Sequence, residues 1–514
     1  MMFSSYKSDE EIKTMNINKC FKSLLTMVTV VTSTAAFASD KAISTADENR
    51  PNIILMMADD LGYGDTGFTG HKVVQTPNLD QIAKDGAIMT NFHAGGPVCS
   101  PTRGTYLTGR HYFRYGIFSA NIGHLPKQEI TIAEVLKEKG YTTGHFGKWH
   151  LGTLSKTESS KGAKRKPAEN YSPASWHGYD QSFVVESSIA TYINPNSKTK
   201  GKKKGKNPFY INGVAVDMDD AQYKGGAGRI VMDQALPFME SAVANKQPFF
   251  TVIWFNAPHA PVEASPELHK FYTDKGVKDG VAHYYGSITE MDQQIGRLRS
   301  ELERLGVADN TLIAFTSDNG PEGKASSAET DKVKKGKERY AGVTDGLRGR
   351  KRSLYEGGVR VPTVVMWPGK IKPSTIMPQQ SSTLDYLPTM ADLVNYNMPD
   401  ERPIDGVSLL PLLSGQDTNF KRSKPIPFRH RNSATLIDGD YKLVMSVGKK
   451  SDNAELYNMS DDRAETTDII AKHPERASAM IKQLKQFLKS AEKSHSGADY
   501  SDPNYKPVDS WPTK

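Results

Sequence analysis

The chain has 514 residues, of which 37% are hydrophobic and 24% charged, and it contains only 2 cysteines. These proportions suit a globular protein with room for more than one domain, and they exclude collagen-like, disulfide-stapled and wholly disordered classes. The formal net charge of +8 favours anionic partners such as nucleic acid, anionic membranes or acidic polysaccharides.

The first apolar stretch predicts an export signal. From Met15, the expected start, a basic segment leads into an apolar run over 24–37 and an Ala-Phe-Ala ending. This pattern is typical of a signal peptide, here residues 1–38 with cleavage after Ala38. The run is shorter than the ~20 residues that a bilayer crossing needs, so no membrane span is expected. A secreted or periplasmic location follows, which leaves nucleic acid as the least favoured partner.

Apolar runs and helical patterns alternate along the rest of the chain. Buried strands are predicted at 52–58, 249–255, 311–316 and 361–367, with helices at 78–85, 132–139, 227–244 and 286–305. The alternation predicts an α/β fold, an α/β/α sandwich in which helices cover both faces of a large, mostly parallel sheet. We assign residues 39–415 to this larger domain.

A smaller C-terminal α+β subdomain is predicted over 416–514. Apolar segments on either side of Gly439 predict a β-hairpin with an antiparallel pairing, and a helix with an apolar stripe begins at about Pro474. Two polar stretches, 155–175 and the lysine-rich 198–206, are interpreted as loop insertions, the second as a solvated surface first and a polyanion contact second.

Acidic and amide side chains follow two of the predicted strands. Asp59 and Asp60 come directly after the first strand, and Asp318 and Asn319 follow the strand at 311–316. Ligands bind beyond the carboxyl ends of strands in open α/β sheets, so these four side chains can converge on a Ca²⁺ or Mg²⁺ ion. Each pair alone also fits a turn or a helix cap.

Removal of the signal peptide leaves Cys99 as the one cysteine, which excludes an internal disulfide. It stands in the segment Cys99-Ser-Pro-Thr-Arg103, where a short Pro-containing turn is expected before a helix from Thr105. A cysteine near a helix N-terminus and a guanidinium has a lowered pKa, which would make Cys99 a thiolate nucleophile. The alternatives are a precursor of the catalytic group or a buried apolar side chain.

The segment Cys99-Ser-Pro-Thr-Arg103 resembles the C-x-P-x-R signature of the type I, formylglycine-dependent sulfatases of the alkaline phosphatase superfamily. Together with the signal features, this pattern resembles secreted bacterial polysaccharide sulfatases. Six further motifs lie in family order over most of the mature chain: Asp59-Asp-Leu-Gly-Tyr-Gly-Asp65, Thr76-Pro-Asn-Leu-Asp80, Gly147-Lys-Trp-His-Leu-Gly152, Asn256-Ala-Pro-His259, Ser317-Asp-Asn-Gly320, and Lys351 with Tyr355-Glu-Gly-Gly358.

The resemblance implies a metal-dependent sulfate ester hydrolase. Cys99 would be oxidised to formylglycine by a maturation enzyme, and the hydrated aldehyde would attack sulfur and later expel sulfate. The residues implied to hold a divalent cation, usually Ca²⁺, are Asp59, Asp60, Cys99, Asp318 and Asn319.

The same resemblance implies the remaining catalytic roles. His150 would accept the proton that releases sulfate, and Arg103 would bind the modified Cys99 together with it. His259 would protonate the leaving oxygen, while Lys148 and Lys351 would clamp the sulfate. Each of these residues, taken alone, also fits a solvated or structural role.

The basic charge and the long insertions favour a sulfated carbohydrate as the substrate, either an algal polysaccharide of the ulvan or carrageenan type or a glycosaminoglycan. Two alternatives stay open. One is a phosphodiesterase or phosphonate monoester hydrolase of the same superfamily. The other is a non-catalytic binder of sulfated polysaccharide in which Cys99 stays unmodified.

Overall fold

The computed structural model describes residues 50–162, 165–196, 207–323, 342–448 and 453–512. The predicted signal segment 1–38 and the lysine-rich run 198–206 lie outside these ranges. None of the described helices combines the length and the apolar character that crossing a membrane requires.

The described strands and helices alternate from the first strand onward. The strands are β1 (Asn52–Ala58), β2 (Ala87–Met89), β3 (Phe92–His93), β4 (Thr142–Lys148), β5 (Gln181–Val185), β6 (Tyr192–Ile193), β7 (Phe209–Ile211), β8 (Val214–Ala215), β9 (Gly225–Gly226), β10 (Phe249–Trp254), β11 (Thr311–Ser317), β12 (Val364–Met366), β13 (Thr375–Met377), β14 (Ser381–Ser382), β15 (Ile426–His430), β16 (Ser433–Asp438), β17 (Tyr441–Ser446) and β18 (Ala454–Asn458). The helices are α1 (Pro77–Asp85), α2 (Cys99–Thr108), α3 (Ile132–Glu138), α4 (Ala227–Ala244), α5 (Pro266–Thr273), α6 (Asp279–Arg304), α7 (Glu356–Val359), α8 (Tyr386–Leu393), α9 (Leu410–Leu413) and α10 (Pro474–Lys493).

A large mixed sheet runs through the molecule in the order β13-β2-β12-β11-β1-β10-β4-β5-β7-β8. Its five central strands are parallel to one another, in the order β11, β1, β10, β4 and β5. This confirms the predicted α/β fold with a large, mostly parallel sheet. The apolar run at 361–367 was expected to be a parallel strand, but β12 pairs with β11 in antiparallel orientation. Burial makes a strand apolar whichever way it runs, so the composition could not set its direction.

Helices cover both faces of this sheet. Along β1, Ile53, Leu55 and Met57 pack into one buried cluster, whereas Ile54 and Met56 pack into the other. Side chains alternate between the faces of a strand, so an uninterrupted apolar run indicates a strand covered on both sides. The first cluster includes side chains of α2, α3 and α8, and the second includes those of α1, α4 and α6.

Central strand β4 escapes prediction because it contains Gly144, His145 and Gly147, which dilute the apolar pattern. Gly147 has φ +104°, and a Cβ there would collide with the Trp254 carbonyl of β10. Only glycine fits this close approach of two backbones. The strand ends at Lys148, which it delivers to the carboxyl edge of the sheet.

The C-terminal region forms a second, antiparallel sheet in the order β15-β16-β17-β18. Strands β16 and β17 form the predicted hairpin, in which Asp438 pairs with Tyr441 across a turn where Gly439 has φ +57°. Helix α10 packs on this sheet through its buried stripe, which includes Met480 and Leu484. The sequence prediction of an antiparallel hairpin covered by a helix is confirmed.

A buried ammonium joins this second sheet to the elements around the large sheet. Lys442 of β17 donates its Nζ to Glu356 Oε1 of α7 at 2.8 Å and lies 2.8 Å from Glu465 Oε1. All three side chains are buried, and Glu356 also contacts His93 Nε2 at 3.1 Å. Removing the ammonium would leave two carboxylates buried without their main cation.

We therefore expect Lys442→Met to lower the free energy of unfolding by about 3–5 kcal/mol, the cost typical of breaking a buried ion pair from one side. Lys485→Met makes the same change at an exposed position of α10 and serves as the control. Thermal and denaturant unfolding of the two variants measures the difference. Equal stability of the two variants would contradict the structural role of Lys442.

Candidate active site

Several elements end at one edge of the large sheet. Asp59 and Asp60 follow β1, Asp318 and Asn319 follow β11, and Lys148 ends β4. Parallel strands place their carboxyl ends at the same edge, so residues distant in sequence become neighbours. The Asp60 backbone N–H donates to Asp318 Oδ1 at 3.1 Å, which ties the first two strand ends together.

Helix α2 begins at Cys99, earlier than the predicted start at Thr105. Pro101 lies in the first turn, where its missing N–H leaves no intrahelical bond unmade. Because Arg103 follows Cys99 by four residues, both side chains project from one face of the helix. The Pro-containing turn that was expected between them is therefore part of the helix.

The Cys99 and Arg103 side chains point into the carboxylates. Cys99 Sγ lies 3.3 Å from Asp59 Oδ1 and 3.9 Å from Asp60 Oδ1. Arg103 donates to Asp318 Oδ2 at 2.7 Å and lies 3.6 Å from Asp59 Oδ1. All of these side chains are buried. Residues from β1, α2 and β11 thus form one enclosed charged cluster.

Two lysines complete the charge balance. Lys148 Nζ donates to Asp59 Oδ2 at 2.6 Å, and Lys351 Nζ donates to Asp60 Oδ2 at 2.6 Å. Lys351 also lies 3.5 Å from Glu322 Oε2, a residue that the sequence did not single out. Three carboxylates thus face three cationic side chains, a compensation that burial requires.

The surrounding charges shift the pKa values of Asp59 and Cys99 in opposite directions. Burial opposes ionisation of Asp59, but attraction to Lys148, His259 and Arg103 outweighs it and holds its pKa well below the usual value. Burial and the Asp318 carboxylate raise the pKa of the Cys99 thiol well above its ordinary value. That direction is opposite to the lowered pKa predicted from the helix N-terminus and Arg103. The surroundings of Cys99 therefore favour its thiol form over the thiolate.

The donor set fits a divalent cation. Single ligand atoms of Asp59, Asp60, Cys99 and His259 lie within 4.8 Å of one another. The Asn319 amide Nδ2 donates to Asp60 Oδ1 at 2.8 Å. Its Oδ1 is buried with no hydrogen-bond partner among the described residues. Carboxylate and amide oxygens are the ligands that Ca²⁺ and Mg²⁺ prefer. His259 was predicted as an acid instead of a member of this cluster.

The two predicted catalytic histidines occupy different surroundings. His150 is buried two residues beyond Lys148, and its Nε2 lies 2.9 Å from Asn121 Oδ1. Burial and repulsion from Lys148 and Arg103 lower its pKa well below the ordinary value.

His259 lies at the more open side of the cluster, with 21% of its side chain exposed and its Nε2 3.7 Å from Asp60 Oδ2. Its Nδ1 donates to the Ala260 carbonyl at 2.6 Å, because a carbonyl oxygen can only accept. The Nε2 atom therefore faces the carboxylates.

The structure brings the predicted residues to one strand edge and adds Asn121, which sequence reasoning missed. Asn121 lies in a turn with no charge pattern or motif, and its one local signal is a nearby glycine, Gly123. Its φ of +63° is in the left-handed region, which asparagine tolerates better than most residues.

Comparison with known proteins identifies the family. The family model described as "Sulfatase" matches residues 51–396, and the model described as "N-sulphoglucosamine sulphohydrolase, C-terminal" matches residues 349–494. The solved structure of Ps i-CgsB in complex with k-i-k-neocarrahexaose has a TM-score of 0.72 and 26% sequence identity, covering 87% of this chain and 94% of that one.

Relatives with an assigned activity are also sulfatases. Mouse steryl-sulfatase is 30% identical over 455 residues, which cover 76% of this chain and 69% of the relative. Human arylsulfatase A is 33% identical over 379 residues, which cover 73% of this chain and 69% of the relative. The first family model spans more than half of the chain, including every residue of the charged cluster. The chain belongs to the sulfatase family, and it is an enzyme that hydrolyses sulfate esters.

Proposed function

We propose that this enzyme removes sulfate from a sulfated carbohydrate, using a formylglycine made from Cys99 as its nucleophile. The carrying observation is the placement of Cys99 and Arg103 on one face of α2, against three carboxylates and two lysines. A binder that holds sulfate without cleaving it has no use for an enclosed cysteine among acid, base and cationic groups. We therefore set aside the non-catalytic alternative.

Formylglycine, once formed by a maturation enzyme, supplies a hydrated aldehyde whose hydroxyl attacks sulfur. The chain's own groups prepare the site for that attack. Arg103, held by Asp318 at 2.7 Å, keeps a fixed cation beside residue 99. The N-terminus of α2 adds the positive end of the helix dipole, which stabilises an anion at this position. An export signal at 1–38 and modification of Cys99 are parts of the same proposal.

Asp59, Asp60, Asp318 and Asn319, with the modified residue 99, would hold a Ca²⁺ ion, and Mg²⁺ has the same ligand preference. Such an ion supplies Lewis acid stabilisation of a sulfate oxygen. The three carboxylates are already balanced by Arg103, Lys148 and Lys351. A divalent cation would make the site net positive, and this charge favours a sulfate ester anion.

The lysines and histidines divide the remaining tasks. Lys148 and Lys351, which contact different aspartates, would both bind sulfate oxygens. The Nδ1–H of His259 is held by the Ala260 carbonyl, so His259 would give a proton from Nε2 to a leaving oxygen on the open side of the cluster only as an imidazolium, with both ring nitrogens protonated. His150, neutral because of its burial and the nearby cations, would accept a proton next to residue 99.

Two observations support a carbohydrate substrate. Arg352 is 47% exposed beside Glu322, which contacts Lys351, so the rim of the site carries a cation that can attract a polyanion. The similar structure of Ps i-CgsB holds k-i-k-neocarrahexaose. Carrageenan-type oligosaccharides are therefore the first substrates to test, followed by ulvan and glycosaminoglycan fragments.

The mature enzyme should release sulfate from at least one of these oligosaccharides, and Cys99→Ala should lower kcat by a factor on the order of 10⁶, as loss of a nucleophile does. Ion chromatography measures the sulfate, and thermal unfolding checks that the variant folds.

Peptide mass spectrometry of the active enzyme should show residues 99–103 lighter than the thiol form. Turnover by the unmodified thiol would refute the mechanism, and faster turnover of phosphonate or phosphate diesters would favour the other enzyme class.

Calcium should stabilise the folded protein through the carboxylate cluster. At a Ca²⁺ concentration about 100 times the Kd, we expect a gain of about 2.7 kcal/mol in the free energy of unfolding. Asp60→Asn should lose most of this gain, whereas Asp309→Asn, at an exposed position, should keep it. Calorimetric melting with Ca²⁺, Mg²⁺ or a chelator provides the measurement. An identical calcium response in both variants would exclude the proposed ligand set.

If His259 protonates the leaving oxygen, His259→Gln should depend strongly on the ester. We expect kcat/KM to fall by about 10²–10⁴ for a sulfated sugar, whose alkoxide leaves poorly, and far less for an activated nitrophenyl sulfate. His269→Gln, on α5, controls for the general effect of the exchange. Equal losses on both esters would remove the acid role.

A further inference from the structure

We propose that Asn121 is a positioning residue that sets which ring nitrogen of His150 carries the proton. The inference deepens the proposed function, on which it rests, because it concerns the proton acceptor of the same site. Asn121 belongs to none of the motifs that point to sulfate ester hydrolysis.

The geometry fixes the direction of one hydrogen bond. Asn121 Oδ1 lies 2.9 Å from His150 Nε2. An amide oxygen accepts hydrogen bonds and does not donate them, so Nε2 must carry the hydrogen. In a neutral imidazole the other nitrogen, Nδ1, then keeps its lone pair. Asn121 thereby makes Nδ1 the basic atom of His150.

The Nδ1 atom is available for this task. It is buried and has no hydrogen-bond partner within the described part of the chain. The whole residue is 5% exposed, so bulk water does not cover it. A buried acceptor without a partner is costly, and such groups call for an explanation. The explanation that we propose is that His150 Nδ1 accepts a proton during the reaction.

Asn121 also reaches toward the nucleophile. Its backbone N–H lies 3.5 Å from the Oγ atom of Ser100, the residue after Cys99 on α2. Asn121 and His150 both adopt left-handed backbone conformations, with φ of +63° and +58°. Such conformations cost free energy in residues other than glycine and are kept where the surroundings enforce them. One turn residue therefore adjoins both the base and the helix of the nucleophile.

The turn that carries Asn121 is braced from two sides. The Gly123 N–H donates to Asp509 Oδ2 at 3.1 Å. Gly123 has φ +67°, and a Cβ at this position would collide with the Gly116 carbonyl. Trp511 packs edge-on against Phe118 with 5.9 Å between ring centroids. These contacts hold the amide in place from a segment beyond residue 494, where the matched C-terminal family model ends.

Two substitutions separate the hydrogen bond from the backbone conformation. Asn121→Gly removes the acceptor but tolerates the positive φ, whereas Asn121→Asp keeps an acceptor of similar size. Ile122→Ala, at the exposed neighbouring position, controls for disturbance of the turn. Thermal unfolding shows whether each variant is folded.

The decisive readout is ¹⁵N NMR of the enzyme labelled at histidine, with His150 assigned by its loss in His150→Gln. Couplings to the ring carbon-bound protons distinguish Nε2, which couples to two, from Nδ1, which couples strongly to one. Wild type, Asn121→Asp and Ile122→Ala should show protonated Nε2 and bare Nδ1. Asn121→Gly should show both tautomers and a kcat lower by about 10- to 100-fold with little change in KM.

Protonated Nδ1 in the wild type, or an unchanged tautomer and kcat in Asn121→Gly, would overturn the inference. Loss of kcat in Asn121→Asp equal to that in Asn121→Gly, with the tautomer retained, would also overturn it. The NMR result does not depend on which ester is cleaved. An enzyme that releases no sulfate but shows the expected tautomers would refute the proposed function and leave the orienting role supported.

Discussion

The structure of the site depends on mutual neutralisation of three buried carboxylates and three buried cations. Asp59, Asp60 and Asp318 carry negative charge into a dry edge of the sheet, where each needs a partner. The partners come from α2, from the end of β4 and from the segment before α7, in the form of Arg103, Lys148 and Lys351. These ion pairs therefore hold the elements together in the folded protein without a bound substrate.

The charged groups also give the site a buried side and a solvent-accessible side. Arg103 and the helix N-terminus occupy the buried side, and His259 occupies the side with access to solvent. In the proposed reaction, charge that develops on the sulfate group would meet fixed cations, and the leaving group would face the solvent-accessible side. Burial and the Asp318 carboxylate oppose ionisation of the Cys99 thiol in this setting.

Much of this was accessible from the sequence. Continuous apolar runs gave β1, β10 and β11, and the acidic residues after two of them indicated the strand edge. The motif around Cys99 carried the family resemblance that family-model and curated matches then supported. The sequence did not reveal β4, because its glycines leave no apolar pattern: Gly147 is required by a backbone contact with Trp254, and Gly144 packs against the rings of Phe146 and Phe238. The direction of β12 and the contact of Asn121 with His150 depend on tertiary placement, on which local composition is silent.

Buried Lys442 constrains where chains of this kind can be recombined. The boundary placed at 415 on composition separates Glu356 from Lys442 and Glu465, although the three share one buried charge. The matched C-terminal family region begins at 349 and keeps all three together. A crossover at 415 would join a glutamate from one parent to an ammonium from another, whereas a crossover near 348 would keep Glu356, Lys442 and Glu465 together. The segment that must be exchanged as one piece is thus larger than the antiparallel sheet alone, and it includes Lys351, which contacts Asp60 in the charged cluster.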